Sequence, residues 1–390
     1  MVQKNIKFEF PNKLEKIFDF LNKKGSVPIV VGGFVRDTLL AKKSKDIDVE
    51  VYNVSSYEQL LTYLEPFGKT HIVGKSFGVC KLDIKGYSID FSLPRKENKT
   101  AKGHKGFNII IDTKLDFSQA SKRRDFTINA IGYNPITKHL LDCYGGIEDL
   151  NKKILRMIDP QTFIEDPLRF FRALGFVARF ELRVDNELFE LLSKMNHSNT
   201  LLELPKERIF AELEKLFLRS KKPSLALKLL YDLKEKNFFS PITSLSYESF
   251  KNYAKIFDNI EIKDISYYMA LLALYIDITQ FSNDKKLLER VTLLLKHHKE
   301  VYHFCKEDAS DFELKYFATK VQWRFIFPFV KALYSECDFS KLERRVEELG
   351  VYDSAIPPKI TGKDLIAKGL KPSKEFKTIL HDLYIKQLKN

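Results

Sequence analysis

Two short segments carry the clearest chemistry in the chain: Gly32-Gly33-Phe34-Val35-Arg36-Asp37 and Lys45-Asp46-Ile47-Asp48-Val49-Glu50. The second is apolar and β-branched between its acidic residues, which predicts a strand. In a strand, residues i and i+2 face the same side. Asp46 and Asp48 are therefore expected to aim two carboxylates at one point, about 7 Å apart along the strand. Like charges so placed repel, and a cation relieves the repulsion. Hard oxygen ligands of this kind suit Mg²⁺, which also binds substrate phosphates. The upstream glycine pair, Gly32 and Gly33, opens a turn whose backbone N–H groups can meet a phosphate at close range. Together the segments imply nucleotidyl transfer with two metal ions.

Three further clusters bear on the same chemistry. In Ser121-Lys122-Arg123-Arg124-Asp125-Phe126-Thr127-Ile128-Asn129-Ala130, Arg124 is suited to clamping a triphosphate and Asp125 to accepting from a ribose hydroxyl. The plainer account is a capped helix start with a surface arginine. In Glu165-Asp166-Pro167-Leu168-Arg169-Phe170-Phe171-Arg172, Pro167 suits the first helical position, and Arg169 and Arg172 share a helical face. Asp166 and Arg169 then offer an acceptor and a donor to a nucleobase, since base identity is a pattern of donors and acceptors. The plainer account makes Asp166 an N-cap and pairs Glu165 with Arg169. Asp90, in the strand predicted at 88–93, is either a further metal ligand, the base for an attacking hydroxyl, or an exposed strand aspartate. His297-His298 and His381-Asp382 lack spaced partners and are expected to be structural or on the surface. Tyr144-Gly145-Gly146-Ile147-Glu148-Asp149-Leu150 reads as a glycine turn more than a phosphate loop.

Composition narrows the classes. At 390 residues and 44% hydrophobic, the chain is globular, with two to four domains expected. Its net charge of +13, from 65 Lys and Arg against 52 Asp and Glu, suggests a polyanionic partner, nucleic acid before an acidic membrane surface. Residues 359–390 hold eight lysines against three acidic residues, either a solvated helical face or a tail that grips RNA backbone. Cys80, Cys143, Cys305 and Cys337 form no CxxC motif, so no disulfide framework or zinc site is expected and a reducing cytoplasm fits. Met1 to Asn5 lacks a signal-peptide core, and the longest apolar stretch, Met269 to Ile276, is too short to span a bilayer.

The elements that must hold these residues follow from periodicity. Helix is expected at 13–24, 34–40 and 55–65, and strand at 27–31, 46–52, 78–84 and 88–93, the last two paired through Lys85-Gly86. Residues 94–106, polar and glycine-punctuated, read as a mobile loop, with another strand at 107–111. From about 150 onward the period is helical, with runs at 206–219, 223–236 and 284–304. The chain thus reads as a mixed α/β head followed by an all-helical extension, with weak divisions near 220 and 340.

In this order, GGFVRD at 32–37, DID at 46–48, RRDFTINA at 123–130, YGGIEDL at 144–150, EDPLR at 165–169 and KERIFAEL at 206–213 resemble the class II CCA-adding tRNA nucleotidyltransferase and bacterial poly(A) polymerase family. The resemblance covers residues 27 to about 215, with a further likeness at Ile360 to Leu365 and Gly369-Leu370. It implies an α+β fold: a polymerase-beta-like nucleotidyltransferase head with a mixed β-sheet (1–150), then an all-helical neck that recognises the base (151–220), body (221–340) and tRNA-binding tail (341–390). It implies addition of C, C and A to tRNA 3′ ends from CTP and ATP in the cytoplasm, with two Mg²⁺ ions. Partial CC or A addition and poly(A) synthesis are the alternatives. By the same resemblance Asp46 and Asp48 hold the metals, with Asp90 alongside. Gly32, Gly33, Arg36, Arg124, Asp125 and Asn129 hold the nucleotide's phosphate and ribose, and Asp166 and Arg169 read the base with Arg172 nearby. No membrane and no protein partner are implied. Two departures stand out: Gly175 replaces an arginine that many members carry, and no His-Asp phosphohydrolase pair is evident, so that activity is not expected.

Overall fold

β-Branched runs become the strands that alternation predicts. The structure, a computed structural model, describes residues 7–72, 78–84, 86–99, 107–371, 373 and 375–390. The chain divides into two compact units, one of residues 1–216 with 232–237, the other of 217–231 with 238–390.

The first unit opens with α1 (Asn12–Lys23), which buries Leu14, Ile17, Phe18 and Leu21 on one face. It then runs through β1 (Val27–Val31), α2 (Gly33–Leu39) and β2 (Asp46–Tyr52). α3 (Tyr57–Leu64) starts two residues later than periodicity suggests because the Ser56 side chain caps it, accepting from the backbone N–H of Gln59 at 3.2 Å. β3 (Thr70–Ile72), β4 (Val79–Ile84) and β5 (Tyr87–Ser92) follow. The expected β4–β5 hairpin is present, and its Lys85 lies outside the described residues. The expected loop at 94–106 is in part a strand. β6 (Arg95–Lys99) pairs antiparallel with β7 (Phe107–Ile111), and residues 100–106 lie outside the described residues. α4 (Phe117–Ser121), β8 (Gly132–Asn134), β9 (His139–Leu141) and α5 (Gly146–Lys152) complete the sheet layer.

The main sheet has the order β3-β4-β5-β2-β1-β8-β9. β2 runs parallel to β5 and the other neighbours are antiparallel, so the sheet is mixed. β2 and β5 sit near its middle, which places Asp48 beside Asp90 and Asp46 beside Ser88. β10 (Ile154–Leu155), α6 (Pro160–Glu165), α7 (Leu168–Phe180), β11 (Arg183–Val184), α8 (Asn186–His197) and α9 (Lys206–Arg219) follow. Residues 232–237 belong to this unit because buried Asn196 reaches them: its Nδ2 donates to the Leu233 carbonyl at 3.0 Å, and Asn237 Nδ2 donates to the Asn196 carbonyl at 2.9 Å.

The second unit is helical: α10 (Ser224–Asp232), α11 (Ser240–Thr243), α12 (Tyr247–Asp258), α13 (Ile265–Ala273), α14 (Lys285–Lys306), α15 (Asp311–Phe317), α16 (Trp323–Leu333), α17 (Ser340–Glu348), α18 (Gly362–Ala367) and α19 (Glu375–Lys389). Its core is aromatic. Trp323 is fully buried, packs on Phe317 at a centroid distance of 4.4 Å, and donates its indole N–H to the Leu314 carbonyl. His297 and His298 are buried on α14, so neither is a surface histidine. His297 pairs with Glu300, and His298 Nδ1 meets the Tyr334 hydroxyl at 2.6 Å. Among the described residues, no helix is long and apolar enough to cross a membrane.

Burial, reinforced by Lys299, lowers the pKa of His298 below its ordinary value. The unfolded chain therefore takes up this proton first, and stability is lost as pH falls from about 6.5 through the depressed folded pKa. The urea midpoint is expected to drop between pH 7 and 5, and His298→Gln, which keeps a polar partner for Tyr334, is expected to flatten that drop. An unchanged pH slope in the variant would remove His298 as its source.

Candidate active site

The first unit holds a cavity of about 660 Å³. Its wall is built by the turn after β1, by β2, by the 123–129 segment, and by α7 and α9. Eight arginine or lysine side chains line it against four acidic ones, a balance that suits a polyanion. Gly32, Gly33, Arg36, Asp48, Arg124, Asp125, Asn129, Asp166, Arg169 and Arg172 all line it. Of the residues singled out from sequence, only Asp46 and Asp90 do not.

β2 explains the acidic end. Ile47, Val49 and Val51 are buried on one face, so Asp46, Asp48 and Glu50 share the other. That stripe runs from exposed Asp46 to Glu50, which has no exposure at all. Glu50 accepts from Arg123 Nη2 at 2.8 Å and from the Tyr52 hydroxyl at 2.7 Å. Burial alone would raise the Glu50 carboxyl; Arg123, Arg124 and Tyr52 outweigh it and hold the group below the ordinary carboxylate range. Asp48 goes the other way. Its side chain is exposed to the cavity, yet the surrounding wall desolvates it and raises its pKa; Arg124 opposes, and Asp90 and Asp46 add to the rise. Burial also raises Asp90, whose Oδ1 is buried with no hydrogen-bond partner.

A buried carboxylate oxygen without a donor, beside two aspartates that repel it, fits a site for a divalent cation. Among the described residues, no three His, Cys, Asp or Glu side chains group closely enough to complete a metal site by themselves. The protein thus offers a partial oxygen set, of the kind that Mg²⁺ completes with water and substrate phosphates.

The turn after β1 needs its glycine. Gly32 has φ +71° and ψ −128°, and a Cβ there would lie 3.1 Å from Arg124 Nη1 and 3.7 Å from Asp48 Oδ2. Arg124 therefore lies close to the carboxylate end of the cavity. Its Nε is buried with no hydrogen-bond partner. Burial and neighbouring Arg123 lower its pKa. The 123–129 segment is pinned from behind by α5. A Cβ on Gly146 would come within 2.3 Å of the Thr127 carbonyl oxygen, and Thr127 Oγ1 donates to Asp149 at 2.7 Å. The glycine turn at 144–150 thus packs against the 123–129 segment.

Asp125 is the most heavily engaged group in the wall. Its Oδ1 accepts from the Phe126 N–H at 2.9 Å and from Asn129 Nδ2 at 2.8 Å. Its Oδ2 accepts from Arg172 Nε at 2.7 Å and from Arg172 Nη2. Burial would raise this carboxyl, but Arg172 and Asn129 hold it below the ordinary range. Arg36 donates from Nη1 to Asn129 Oδ1, and from Nε and Nη2 to Asp37 Oδ1 at 2.8 and 2.7 Å. Arg169 is anchored rather than paired with Asp166. Its Nη1 and Nη2 donate to the carbonyls of Thr162 and Arg123 at 2.8 and 2.6 Å. Asp166 Oδ1 accepts from the Leu168 N–H at 3.2 Å and lies 4.0 Å from Arg208, but the N-cap of α7 is Pro167 rather than Asp166, one residue later than the plainer reading placed it.

The poly A polymerase head domain matches residues 29–156, and the probable RNA and SrmB-binding site of polymerase A matches residues 181–243. The Multifunctional CCA protein of Stenotrophomonas maltophilia strain K279a is 36% identical over 206 residues, 52% of this chain and 48% of its own. That of Neisseria gonorrhoeae strain NCCP11945 is 36% identical over 201 residues, 52% and 46%. Residues 29–156 thus resemble the head domain of poly A polymerases, and about half of the chain resembles proteins named for CCA. The chain spans about half the length of these curated relatives. Solved folds agree. A CCA-adding enzyme with ATP superposes with a TM-score of 0.71 at 22% identity, covering 97% of this chain and 91% of that one. The Thermotoga maritima CCA-adding enzyme complexed with tRNA-CCA gives 0.67 at 21%, covering 97% and 92%.

Sequence reasoning gave no role to Arg95, Arg123, Arg208, Glu212 and Lys215, all on the cavity wall. Arg208, Glu212 and Lys215 stand at i, i+4 and i+7 on α9, one helical face, so the signal was present in the KERIFAEL segment and its next turn. Arg95 lies in the strand that polarity had disguised as loop. Gly175, where the family resemblance implies an arginine, sits in α7, and a Cβ there would meet nothing within 4 Å.

Gly32→Ala is expected to strain the turn and crowd Arg124, lowering unfolding free energy by about 2 kcal/mol. Denaturant titration checks this, and an unchanged midpoint would show that the turn needs no glycine.

Proposed function

We propose that this protein is an RNA nucleotidyltransferase that adds CCA to the 3′ end of tRNA from CTP and ATP without a nucleic-acid template, in the cytoplasm. The observation that carries the reading is Asp48, paired across the β2–β5 ladder with Asp90, at one end of an arginine-rich cavity. The matching head domain and the curated relatives named for CCA support it.

Each end of the cavity has its task. Asp46 and Asp48 would hold two Mg²⁺ ions, which when bound supply Lewis-acid stabilisation of the attacking and leaving oxygens. Asp90, with its raised pKa and unpartnered oxygen, is the candidate to take the proton from the terminal 3′-hydroxyl. Gly32, Gly33, Arg36 and Arg124 face the triphosphate, where the fixed positive charge of Arg124 offsets the phosphate charge. Asp125 and Asn129, locked to Arg172, shape the ribose side. Asp166 and the anchored Arg169 present an acceptor and a donor to the base. A rigid edge discriminates better than a free one because it does not reshape itself around the wrong base. We assign residues 1–150 to the catalytic head, 151–220 to the neck, 221–340 to the body and 341–390 to a tail that grips tRNA.

Purified protein given tRNA transcripts lacking A, CA or CCA, with each labelled nucleotide and Mg²⁺, is expected to complete CCA and stop. Long A tracts, or products ending at CC, would replace this reading with poly(A) synthesis or partial addition. Asp46→Ala and Asp48→Ala are each expected to reduce incorporation to background while tRNA still binds in a filter assay. Turnover retained in either variant would overturn the metal assignment.

A further inference from the structure

α7 does more than line the cavity with Arg172. Seven residues on, Arg179 Nη2 donates to Asp37 Oδ2 at 3.0 Å. Asp37 is the residue whose other oxygen holds Arg36. The hydrogen bonds therefore close a ring: Arg172 to Asp125, Asp125 to Asn129, Asn129 to Arg36, Arg36 to Asp37, Asp37 to Arg179, and back along α7 to Arg172. Asp125, Asn129, Arg36 and Asp37 are all less than a tenth exposed.

The ring is filled by α7 itself. Phe176 and Phe180 share the face of Arg172 and Arg179, and their rings stack with centroids 5.7 Å apart. The Arg36 guanidinium lies over both, 5.2 Å from Phe176 and 4.6 Å from Phe180. Arg172 also lies over Phe176 and Arg179 over Phe180, at 5.7 and 4.8 Å. Three guanidinium groups and two carboxylates thus meet around two aromatic rings. Like charges held this close separate unless each is paired, so the two aspartates are what permit the arrangement.

We propose that Arg179, which does not line the cavity, is a positioning residue for nucleotide binding. By closing the ring through Asp37 it fixes Arg36, on the phosphate side, relative to Asp125 and Arg172, on the ribose side. Without it, Asp37 Oδ2 loses its donor, the carboxylate is free to turn about its own side chain, and Arg36, held on the other oxygen, turns with it away from Asn129. Asn129 then loses its orientation, and the carboxylate of Asp125 shifts with it. The effect reaches the nucleotide through geometry, without contact. This inference rests on the nucleotidyl-transfer reading of the same cavity.

The test uses the full chain with tRNA lacking CCA and measures KM for CTP, kcat and the melting midpoint for Arg179→Met, Arg179→Gln, Arg179→Lys, Asp37→Asn and the Arg179→Met/Asp37→Asn pair. Arg179→Met is expected to raise KM for CTP about tenfold while kcat stays within about threefold. Arg179→Lys, which keeps a charged donor, is expected to recover most of the loss. Asp37→Asn is expected to match Arg179→Met, and the pair to be no worse than either alone, because all break one ring. Should Arg179→Met fail to fold, Arg179→Gln carries the same measurement. A lowered melting midpoint with KM unchanged would make Arg179 merely structural and overturn the proposal, as would fully additive effects in the pair. Calorimetric titration of the unaltered protein with CTP separates the two failures: no binding there sinks the nucleotidyl-transfer reading itself, whereas normal binding with unmoved variants sinks only the role of Arg179.

Discussion

The pairing of buried arginines with buried aspartates is the constraint on which this unit turns. A cavity suited to a triphosphate must concentrate positive charge, and concentrated positive charge in a poorly solvated wall is unstable by itself. Burial lowers the pKa of Arg36 and Arg124, a sign of how strongly desolvation opposes their charge. Asp37 and Asp125 offset that cost for Arg36 and Arg172, and Glu50 does the same for Arg123. Each carboxylate also fixes the direction of the guanidinium it neutralises, so one set of contacts gives both tolerance of charge and geometry.

Arg124 and Asp90 lie where chemistry is expected. Both have a buried polar atom without a hydrogen-bond partner. Such atoms keep capacity for groups that arrive with a ligand: anionic oxygens for the arginine, a cation or a proton for the aspartate. The raised pKa of Asp48 belongs to the same pattern: desolvation raises it first, Asp90 and Asp46 add to the rise, and Arg124 offsets only part of it.

The scaffold explains why these groups stay put. β2 lies between β1 and β5 in the sheet, so its acidic stripe cannot slip in register without breaking ladders on both sides. α5 presses on the 123–129 segment through Gly146, and α7 clamps it from the cavity side through Arg172. The second unit is built on different physics, an aromatic core around Trp323 with helices capped by local side chains such as Ser310 and Asp264.

The sequence by itself determined what is local. The alternation of 46–52 made a strand with Asp46 and Asp48 on one face, the helical period marked α7 and α9, and the residue types at 32–37, 123–130 and 165–172 named most of the cavity wall. These follow from backbone periodicity and side-chain chemistry, which act within a few residues. What the sequence left open depends on partners far along the chain. Asp48 meets Asp90 through a parallel register, Asp125 meets Arg172 across 47 residues, and Asp37 meets Arg179 across 142. Lys-rich polarity at 94–106 hid β6, because a two-stranded ribbon needs no apolar stripe to declare itself. Glu50 drew no reading from the sequence and is wholly buried, since only the folded sheet brings Arg123 and Tyr52 to it. Whether a charged side chain is a solvated ornament or a fixed part of a wall depends on desolvation and on its countercharge, and both exist only after distant segments have packed.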